Sequence, residues 1–352
     1  MKILSIPIVV ALMFLGPSCS RNINNHNPEN MNHTEQKEYY TFELGDRVIR
    51  QKVNFRNRYG ITLTGDLYIP KNKGHNPLPA IAISGPFGAV KEQSSGLYAR
   101  HMAERGFITL AFDPSYTGES GGEPRHVASP DINTEDMSAA VDFLGIQENV
   151  DRNKIGIIGI CGFGGFALNA ASADKRVKAV ATTSMYDMSR VNAKGYFDAT
   201  TLEERTAILK RLSEQRWKDI ENEIPASGPK GLPDKIEGDE PQFVKDYFDY
   251  YKTERGFHPR SLNSNGSWTI TTPLSFMNMP ILTYIKEISP RPVLLIAGEN
   301  AHSRYFSEDA CKAASEPKEL MIIPGAVHVD LYDQLHMIPF DRLESFFKEH
   351  LI

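Results

Sequence analysis

The chain has 352 residues, of which 41% are hydrophobic, and it carries a formal net charge of −5. This length is enough for one large domain or two ordinary ones with a substantial core. The weakly acidic balance excludes the strong basic excess of many nucleic-acid-binding proteins, so we expect no nucleic-acid partner. The sequence has no histidine–cysteine spacing typical of zinc sites, and we expect no metal and no cofactor.

The amino terminus has the pattern of an export signal. Lys2 precedes an apolar run that ends at Gly16, and we predict a signal peptide over residues 1–18. The small residue before Cys19 resembles a bacterial lipoprotein signal, which predicts a lipid anchor at Cys19 that attaches the protein to a membrane of the bacterial cell envelope or periplasm. Ordinary secretion with cleavage nearby is the alternative. The polar residues 19–37 are predicted to be a flexible tether.

Alternating segments over residues 47–55 and 61–69 predict an antiparallel hairpin that opens a sheet. Apolar strands and helices then alternate with short connections, which is typical of a mostly parallel, doubly wound sheet. The predicted α/β core comprises residues 38–187 and 288–352. Its strands are predicted over residues 79–84, 107–112, 154–160, 179–184, 293–297 and 319–323, and its helices over 96–105, 134–144, 166–173, 306–314 and 340–349.

Residues 188–287 interrupt this alternation for much longer than an ordinary loop. The capping box Thr201-Leu202-Glu203-Glu204 predicts a helix that runs through Trp217, and a second helix is predicted over residues 241–251. We interpret the segment as a helical lid insertion over the carboxyl ends of the strands. Its aromatic side chains either line a substrate pocket or pack the lid itself.

Cys161 lies at the turn between a predicted strand and a predicted helix. Such a turn exposes its side chain near the first N–H groups of the helix, as in the G-x-S-x-G turn that carries a nucleophile. Gly159-Ile160-Cys161 supplies the first half of that motif, and the glycine pair Gly164-Gly165 comes one residue late. Cys161 is therefore either a nucleophile or a small buried hydrophobic residue, and a disulfide with Cys311 is a competing use.

Loops at the carboxyl ends of parallel strands carry the candidate partners of Cys161. His328 follows the last strand and is the candidate general base, with a surface-loop imidazole as the alternative. Glu299, which follows the preceding strand, is the first choice for the acid that orients the imidazole. Asp187 is the second choice. For each of these two acids, the alternative is a purely structural role.

An oxyanion site requires backbone N–H donors that face the nucleophile. We predict Gly162 as one donor and Phe87 as the other, because Pro86 in the same loop has no N–H group. Asp113 is interpreted as a structural hydrogen-bond acceptor. Glu92 either controls the ionisation of the thiol or caps a helix.

Several segments together resemble α/β-hydrolases of the dienelactone-hydrolase-like group, including bacterial members related to polyketide transferases. The resemblance covers nearly everything from Tyr40 to the carboxyl terminus and implies the α/β-hydrolase fold. It also implies a covalent acyl-enzyme route, with Cys161 as the nucleophile and His328 as the base. Ala301 stands where this family most often has aspartate. The segments are 85–88 with 91–93, 113–122, 159–165, 298–303 and 324–330.

We therefore expect a hydrolase of ester, lactone or thioester bonds that acts on a small acyl substrate through an acyl-cysteine. The thiol suits this chemistry because it is nucleophilic near neutral pH when it is paired with histidine. One alternative is an acyltransferase on the same fold. Another is a lipid-anchored binding protein whose degenerate elbow no longer catalyses, and a peptidase is a further alternative.

Overall fold

The computed structural model describes residues 38–72 and 74–352. The predicted signal peptide, Cys19 and the predicted tether therefore lie outside the described residues. Eight strands form one sheet in the order β1-β2-β4-β3-β5-β6-β7-β8. The strands are β1 (Val48–Arg56), β2 (Thr62–Pro70), β3 (Leu78–Ser84), β4 (Ile108–Phe112), β5 (Val150–Ile160), β6 (Val177–Thr183), β7 (Val293–Gly298) and β8 (Lys318–Ile323).

The prediction of a mostly parallel sheet opened by an antiparallel hairpin is confirmed. β1 pairs antiparallel with β2, which is in turn antiparallel to β4. The pairings from β4 through β3, β5, β6 and β7 to β8 are all parallel. The central strands are apolar on both faces, as a sheet covered by helices on both sides requires, and Ile81, Ile83, Ile157 and Ile158 are fully buried.

Helices cover both faces of the sheet. They are α1 (Ser94–Glu104), α2 (Pro130–Gly145), α3 (Gly162–Ala173), α4 (Met188–Lys194), α5 (Leu202–Glu221), α6 (Gln242–Lys252), α7 (Leu262–Asn265), α8 (Pro273–Asn278), α9 (Arg304–Ala313), α10 (Asp330–Asp333) and α11 (Phe340–Leu351). Gly156 of β5 packs against Phe347 of α11, whereas Gly159 packs against Ala167 of α3. These glycines are an odd number of residues apart and therefore face opposite sides of the sheet. Within the described residues, no helix has the length and apolar character needed to cross a membrane.

Several predicted boundaries differ from the observed ones. β5 begins at Val150, because Val150 pairs with Leu78 before a shift in register. α2 begins at Pro130, since proline fits the first turn of a helix. The predicted capping box of α5 is confirmed: Thr201 and Glu204 exchange side-chain-to-backbone hydrogen bonds, and the helix continues to Glu221.

The register of the parallel strands brings the candidate loops together. Ser84 of β3 is level with Gly159 of β5, and Ile160 is level with Thr183 of β6. Gly298 of β7 is level with Ile323 of β8. The loops that follow these strands therefore emerge at one edge of the sheet. Helices α4 to α8 lie in the segment between β6 and β7, which contains the predicted insertion of residues 188–287.

Candidate active site

Cys161 occupies a strained turn between β5 and α3. Its backbone has φ 54° and ψ −122°, a conformation that residues other than glycine rarely adopt. Three backbone hydrogen bonds hold it there: its N–H donates to Thr183 O at 2.9 Å, and its carbonyl accepts from Gly164 at 2.9 Å and from Tyr186 at 2.8 Å. The neighbouring loops thus maintain the conformation that presents the thiol.

The late glycine pair is explained by packing around this turn. A Cβ on Gly164 would lie 2.4 Å from the Cβ of Met185, so glycine is required where α3 passes the loop after β6. Phe163 stands where the last glycine of the G-x-S-x-G pattern is found. Its buried ring packs edge-on against Phe112 and Phe166. The turn therefore keeps its geometry with the altered spacing.

The two predicted oxyanion donors lie beside the thiol. The backbone N–H groups of Gly162 and Phe87 are among the groups that lower the pKa of the Cys161 thiol, against the larger effect of burial, which raises it. A Cβ on Gly162 would lie 2.7 Å from the Cβ of Phe87, so only glycine permits the close approach of these two loops. The insertion holds the Phe87 loop: Asn263 Nδ2 donates to Phe87 O at 2.9 Å, and Trp268 stacks on the Phe87 ring with centroids 4.2 Å apart.

His328 lies in the loop between β8 and α10 and is only 2% exposed. Its Nδ1 is 2.5 Å from the hydroxyl of Ser303, and its Nε2 is 2.8 Å from the hydroxyl of Tyr332. Burial, followed by the neighbouring His302, holds the pKa of His328 well below its usual value. The imidazole is therefore neutral near pH 7 and is able to accept a proton only when the reaction supplies one.

The structure does not bring the two candidate acids to His328. Glu299 is exposed, and its carboxylate accepts the Gly325 N–H at 2.8 Å, which ties the loop after β7 to the loop after β8. Asp187 accepts the Arg190 N–H at 2.9 Å and caps α4. In this structure the group on Nδ1 is instead Ser303, which lies on the same loop as Glu299.

Two tyrosines, Tyr247 and Tyr332, line a cavity together with the thiol. Burial raises the pKa of Cys161, while hydrogen bonds from Tyr332, from the N–H groups described above and from Tyr247 oppose that rise. Tyr332 lies in α10, four residues after His328, and its closeness in the chain was the available sequence signal for it. Tyr247 lies in the second helix predicted for the insertion, and no chemical role was predicted for it.

An apolar cavity of about 410 Å³ opens beside Cys161. Tyr247, Tyr251, Trp268 and Phe276 of the insertion line this cavity, so part of the aromatic content of the predicted lid faces the site. Phe248 is not among its lining residues. Further apolar lining comes from Phe87, Met188, Val191, Ile208, Leu212, Leu232, Ile270 and Met277.

A buried cluster of charges follows the Phe87 loop in the chain and is joined to the insertion. Lys91 contacts Glu92 and Glu119 and lies 3.6 Å from Asp113, and Arg260 of the insertion contacts Glu92. Asp113 also accepts the N–H groups of Lys91 at 2.7 Å and Glu119 at 2.8 Å, which confirms its structural role. The carboxylate of Glu92 is used in this cluster and does not cap α1.

Cys161 and Cys311 are both free thiols, so the competing disulfide is not formed. A thiol in the strained turn, a buried histidine in the last loop and two N–H donors thus meet at the carboxyl edge of the sheet. This is an arrangement in which a carbonyl group can be attacked and its oxygen stabilised.

Comparisons with known proteins agree with this architecture. Residues 59–224 match the family model described as X-Pro dipeptidyl-peptidase (S15 family). The chain is 68% identical over 311 residues to the uncharacterized protein PA2218 of Pseudomonas aeruginosa, covering 88% of this chain and 83% of that protein. The crystal structure of PA2218 matches with a TM-score of 0.88 at 66% identity, covering 92% of this chain and 100% of that one.

More distant relatives include an uncharacterized protein, YcjY, and proteins whose names state an activity. The chain is 35% identical over 319 residues to YcjY of Escherichia coli, covering 86% of this chain and 100% of YcjY. It is 26% identical over 289 residues to the thiohydrolase aneE of Aspergillus aculeatus, covering 80% and 84% of the two chains. The crystal structure of the α/β hydrolase GrgF from Penicillium matches with a TM-score of 0.68 at 24% identity, covering 86% of this chain and 99% of that one. The chain therefore belongs to the same family as PA2218 and YcjY, and its fold is that of the α/β-hydrolases.

Proposed function

We propose that the protein hydrolyses ester, lactone or thioester bonds through a covalent acyl-Cys161 intermediate. One observation carries this proposal: the thiol sits on a strained turn at the wall of an apolar cavity, beside the point where the Gly162 and Phe87 backbones approach each other closely. A buried cysteine that only filled space would not need a strained backbone or a set of convergent donors.

In this mechanism the sulfur of Cys161 attacks the substrate carbonyl and its proton is accepted at His328. The carbonyl electron pair moves onto oxygen, where the N–H groups of Gly162 and Phe87 stabilise it, and loss of one such donor typically raises a barrier by about 3 kcal/mol. Reformation of the carbonyl expels the alcohol or thiol leaving group, which takes the proton back from His328. Water then attacks the acyl-cysteine by the reverse sequence and releases the acid.

The cavity supports an apolar acyl group as the substrate. Its walls carry aromatic and aliphatic side chains, and each buried methylene of a substrate contributes about 0.8 kcal/mol of transfer free energy. The name of the relative aneE, a thiohydrolase, supports a thioester as one substrate class. The proposed placement in the dienelactone-hydrolase-like group supports a cysteine in the role of nucleophile.

Intact-protein mass spectrometry tests the proposal. The protein is mixed with p-nitrophenyl esters and N-acetylcysteamine thioesters of apolar acids and quenched in acid within milliseconds to seconds. We expect the mass of one acyl group on the wild-type protein, and peptide mapping should place it on Cys161.

Two variants complete that experiment. Cys161→Ala should form no adduct and show no turnover, whereas Cys311→Ala should behave as wild type, because Cys311 lies outside the cavity lining. Turnover that survives in Cys161→Ala would contradict the proposed nucleophile. An absence of adduct and turnover across the whole panel, with ligands still stabilising the fold, would favour the binding-protein alternative.

Acyl transfer is the second candidate, because the relative grgF is named a polyketide transferase. It differs only in the group that attacks the acyl-cysteine, since an alcohol or amine would replace water. Adding increasing concentrations of such an acceptor separates the two: a transferase diverts the product to the new ester or amide, whereas a hydrolase continues to release the free acid.

A further inference from the structure

Tyr332 lies between the thiol and the histidine. Its hydroxyl is 2.8 Å from Nε2 of His328, and Tyr332 lines the same cavity as Cys161. Tyr332 is also the first of the groups that oppose the rise which burial causes in the pKa of the thiol. Both ring nitrogens of His328 are engaged by hydroxyl groups, Ser303 at Nδ1 and Tyr332 at Nε2, so neither nitrogen is left to contact the sulfur directly. A proton that leaves the sulfur therefore meets the phenol before it meets the imidazole.

We propose that the hydroxyl of Tyr332 relays the proton between Cys161 and His328. This inference rests on the proposed function, in which Cys161 is the nucleophile. As the sulfur–carbon bond forms, the S–H proton moves to Oη of Tyr332 while the phenol proton moves to Nε2 of His328. The phenol is regenerated, the imidazole becomes protonated and the carbonyl oxygen takes the negative charge. When the leaving group departs, the two protons move in the opposite direction.

The position of Tyr332 is fixed by its surroundings. The residue is fully buried, its ring packs edge-on against Tyr250 with centroids 5.0 Å apart, and it belongs to the short helix α10 directly after His328. Ser303 holds the other side of the imidazole, so the ring cannot turn freely toward the sulfur. Tyr250 thus fixes the position of Tyr332, and Ser303 fixes the orientation of His328.

The electrostatics of the site favour proton transfer through a neutral Tyr332 over formation of a phenolate. Burial is the main factor that raises the pKa of Tyr332 well above its usual value, and the nearby thiol adds to it. A phenolate is therefore not a stable species here, and both protons must move together. The groups that face the imidazole are all neutral or weakly basic: Tyr186, Tyr247, His302, Ser303 and Tyr332.

The test replaces Tyr332 by phenylalanine, which keeps the ring and removes the hydroxyl. Tyr250→Phe is the matched control, because Tyr250 is also buried and contacts the same ring but is not among the cavity-lining residues. We expect about a 100-fold fall in kcat/KM for Tyr332→Phe, as is typical when proton transfer is lost, and little change for Tyr250→Phe.

A solvent isotope measurement separates a relay from a purely structural role. In mixtures of light and heavy water, the wild-type acylation rate should depend on two transferred protons and give a curved proton inventory. A linear inventory in the wild-type protein, or Tyr332→Phe rates equal to those of Tyr250→Phe, would overturn the relay. If Tyr332→Phe does not fold, 3-fluorotyrosine at position 332 keeps the shape, and an unchanged acylation rate would likewise overturn it.

Alkylation of Cys161 by iodoacetamide distinguishes this inference from the proposed function, because it needs no acyl substrate. Slower alkylation at pH 7 in Tyr332→Phe than in Tyr250→Phe supports the relay even if no ester is ever hydrolysed. Normal acyl-enzyme formation with equal alkylation rates in the two variants would leave the proposed function standing and remove Tyr332 from it.

Discussion

The hydroxyl of Ser303 lies 2.5 Å from Nδ1 of His328, on the loop after β7 where a carboxylate was expected. A hydroxyl orients the imidazole as a carboxylate would, but it brings no negative charge to stabilise the protonated form. This agrees with the pKa of His328, which burial lowers well below its usual value. The candidate base is thus oriented without being made more basic.

Replacing Ser303 by aspartate should raise the pKa of His328, because a carboxylate beside Nδ1 favours imidazolium. A base with a higher pKa holds its proton up to a higher pH, so the acid limb of the pH–rate profile should move to higher pH. NMR titration of the imidazole measures the shift directly. Ser303→Asn, which is neutral, serves as the control, and an equal shift in that variant would contradict the electrostatic explanation.

Asn263 should fix the position of the Phe87 loop, which carries a proposed oxyanion donor. Its side chain is uncharged, so we expect this effect to come from positioning. Asn263→Ala removes the hydrogen bond to Phe87 O and should lower kcat by about 10- to 100-fold, because small misplacements of catalytic groups have effects of this size. Steady-state kinetics with one ester checks this. Asn265→Ala, at an exposed position of the same helix, should leave kcat unchanged.

Trp268 lines the cavity that we propose as the acyl-binding site, and it stacks on Phe87. Trp268→Ala should enlarge the cavity, so kcat/KM should fall for short acyl groups. The ratio of kcat/KM for bulky acyl groups to that for short ones should rise. A series of p-nitrophenyl esters of increasing length measures this change, and an unaltered length preference would argue against the cavity as the acyl site.

The same residue offers a direct probe of binding. The protein has two tryptophans, and Trp217 is 72% exposed on α5. In Trp217→Phe the fluorescence comes from Trp268 alone and should change when an apolar acid fills the cavity. An unchanged spectrum at saturating ligand would place binding elsewhere.

Lys91 should be essential for stability because it is fully buried among carboxylates. Lys91→Met leaves Glu92 and Asp113 without their shared cation, and breaking a buried ion pair in this way typically lowers the free energy of unfolding by about 3–5 kcal/mol. Urea denaturation followed by circular dichroism measures the loss. Lys154→Met, whose side chain is 39% exposed beside Asp151, should change the stability by less than about 1 kcal/mol.

The fold was predictable because its signals are local. Alternation of apolar residues identified the hairpin of β1 and β2, and the capping box at Thr201 located the start of α5. The order of strands and helices then limited the sheet to a few topologies. Predicted boundaries were wrong where pairing with a distant strand makes an element longer. An example is Val150, which pairs with β3 and extends β5.

The site was predictable only as far as the loops that carry it. The positions of Cys161 and His328 followed from strand order, since loops at one edge of a sheet must meet. The partner of Nδ1 did not follow, because the direction of a side chain at the end of β7 depends on how α9 packs there. Glu299 points to Gly325, and Ser303, at the start of α9, points to the histidine.

The insertion supplies more than a wall for the cavity, because Asn263 and Arg260 hold the Phe87 loop and the charges behind it. In the proposed function, the segment that shapes the substrate pocket therefore also holds the loop that carries an oxyanion donor. A chimera that exchanges residues 188–287 for those of a relative with another substrate would need to bring equivalents of both anchors with it. Without these anchors, the chimera would have a new pocket, but the Phe87 loop would lack the contacts that hold it in place.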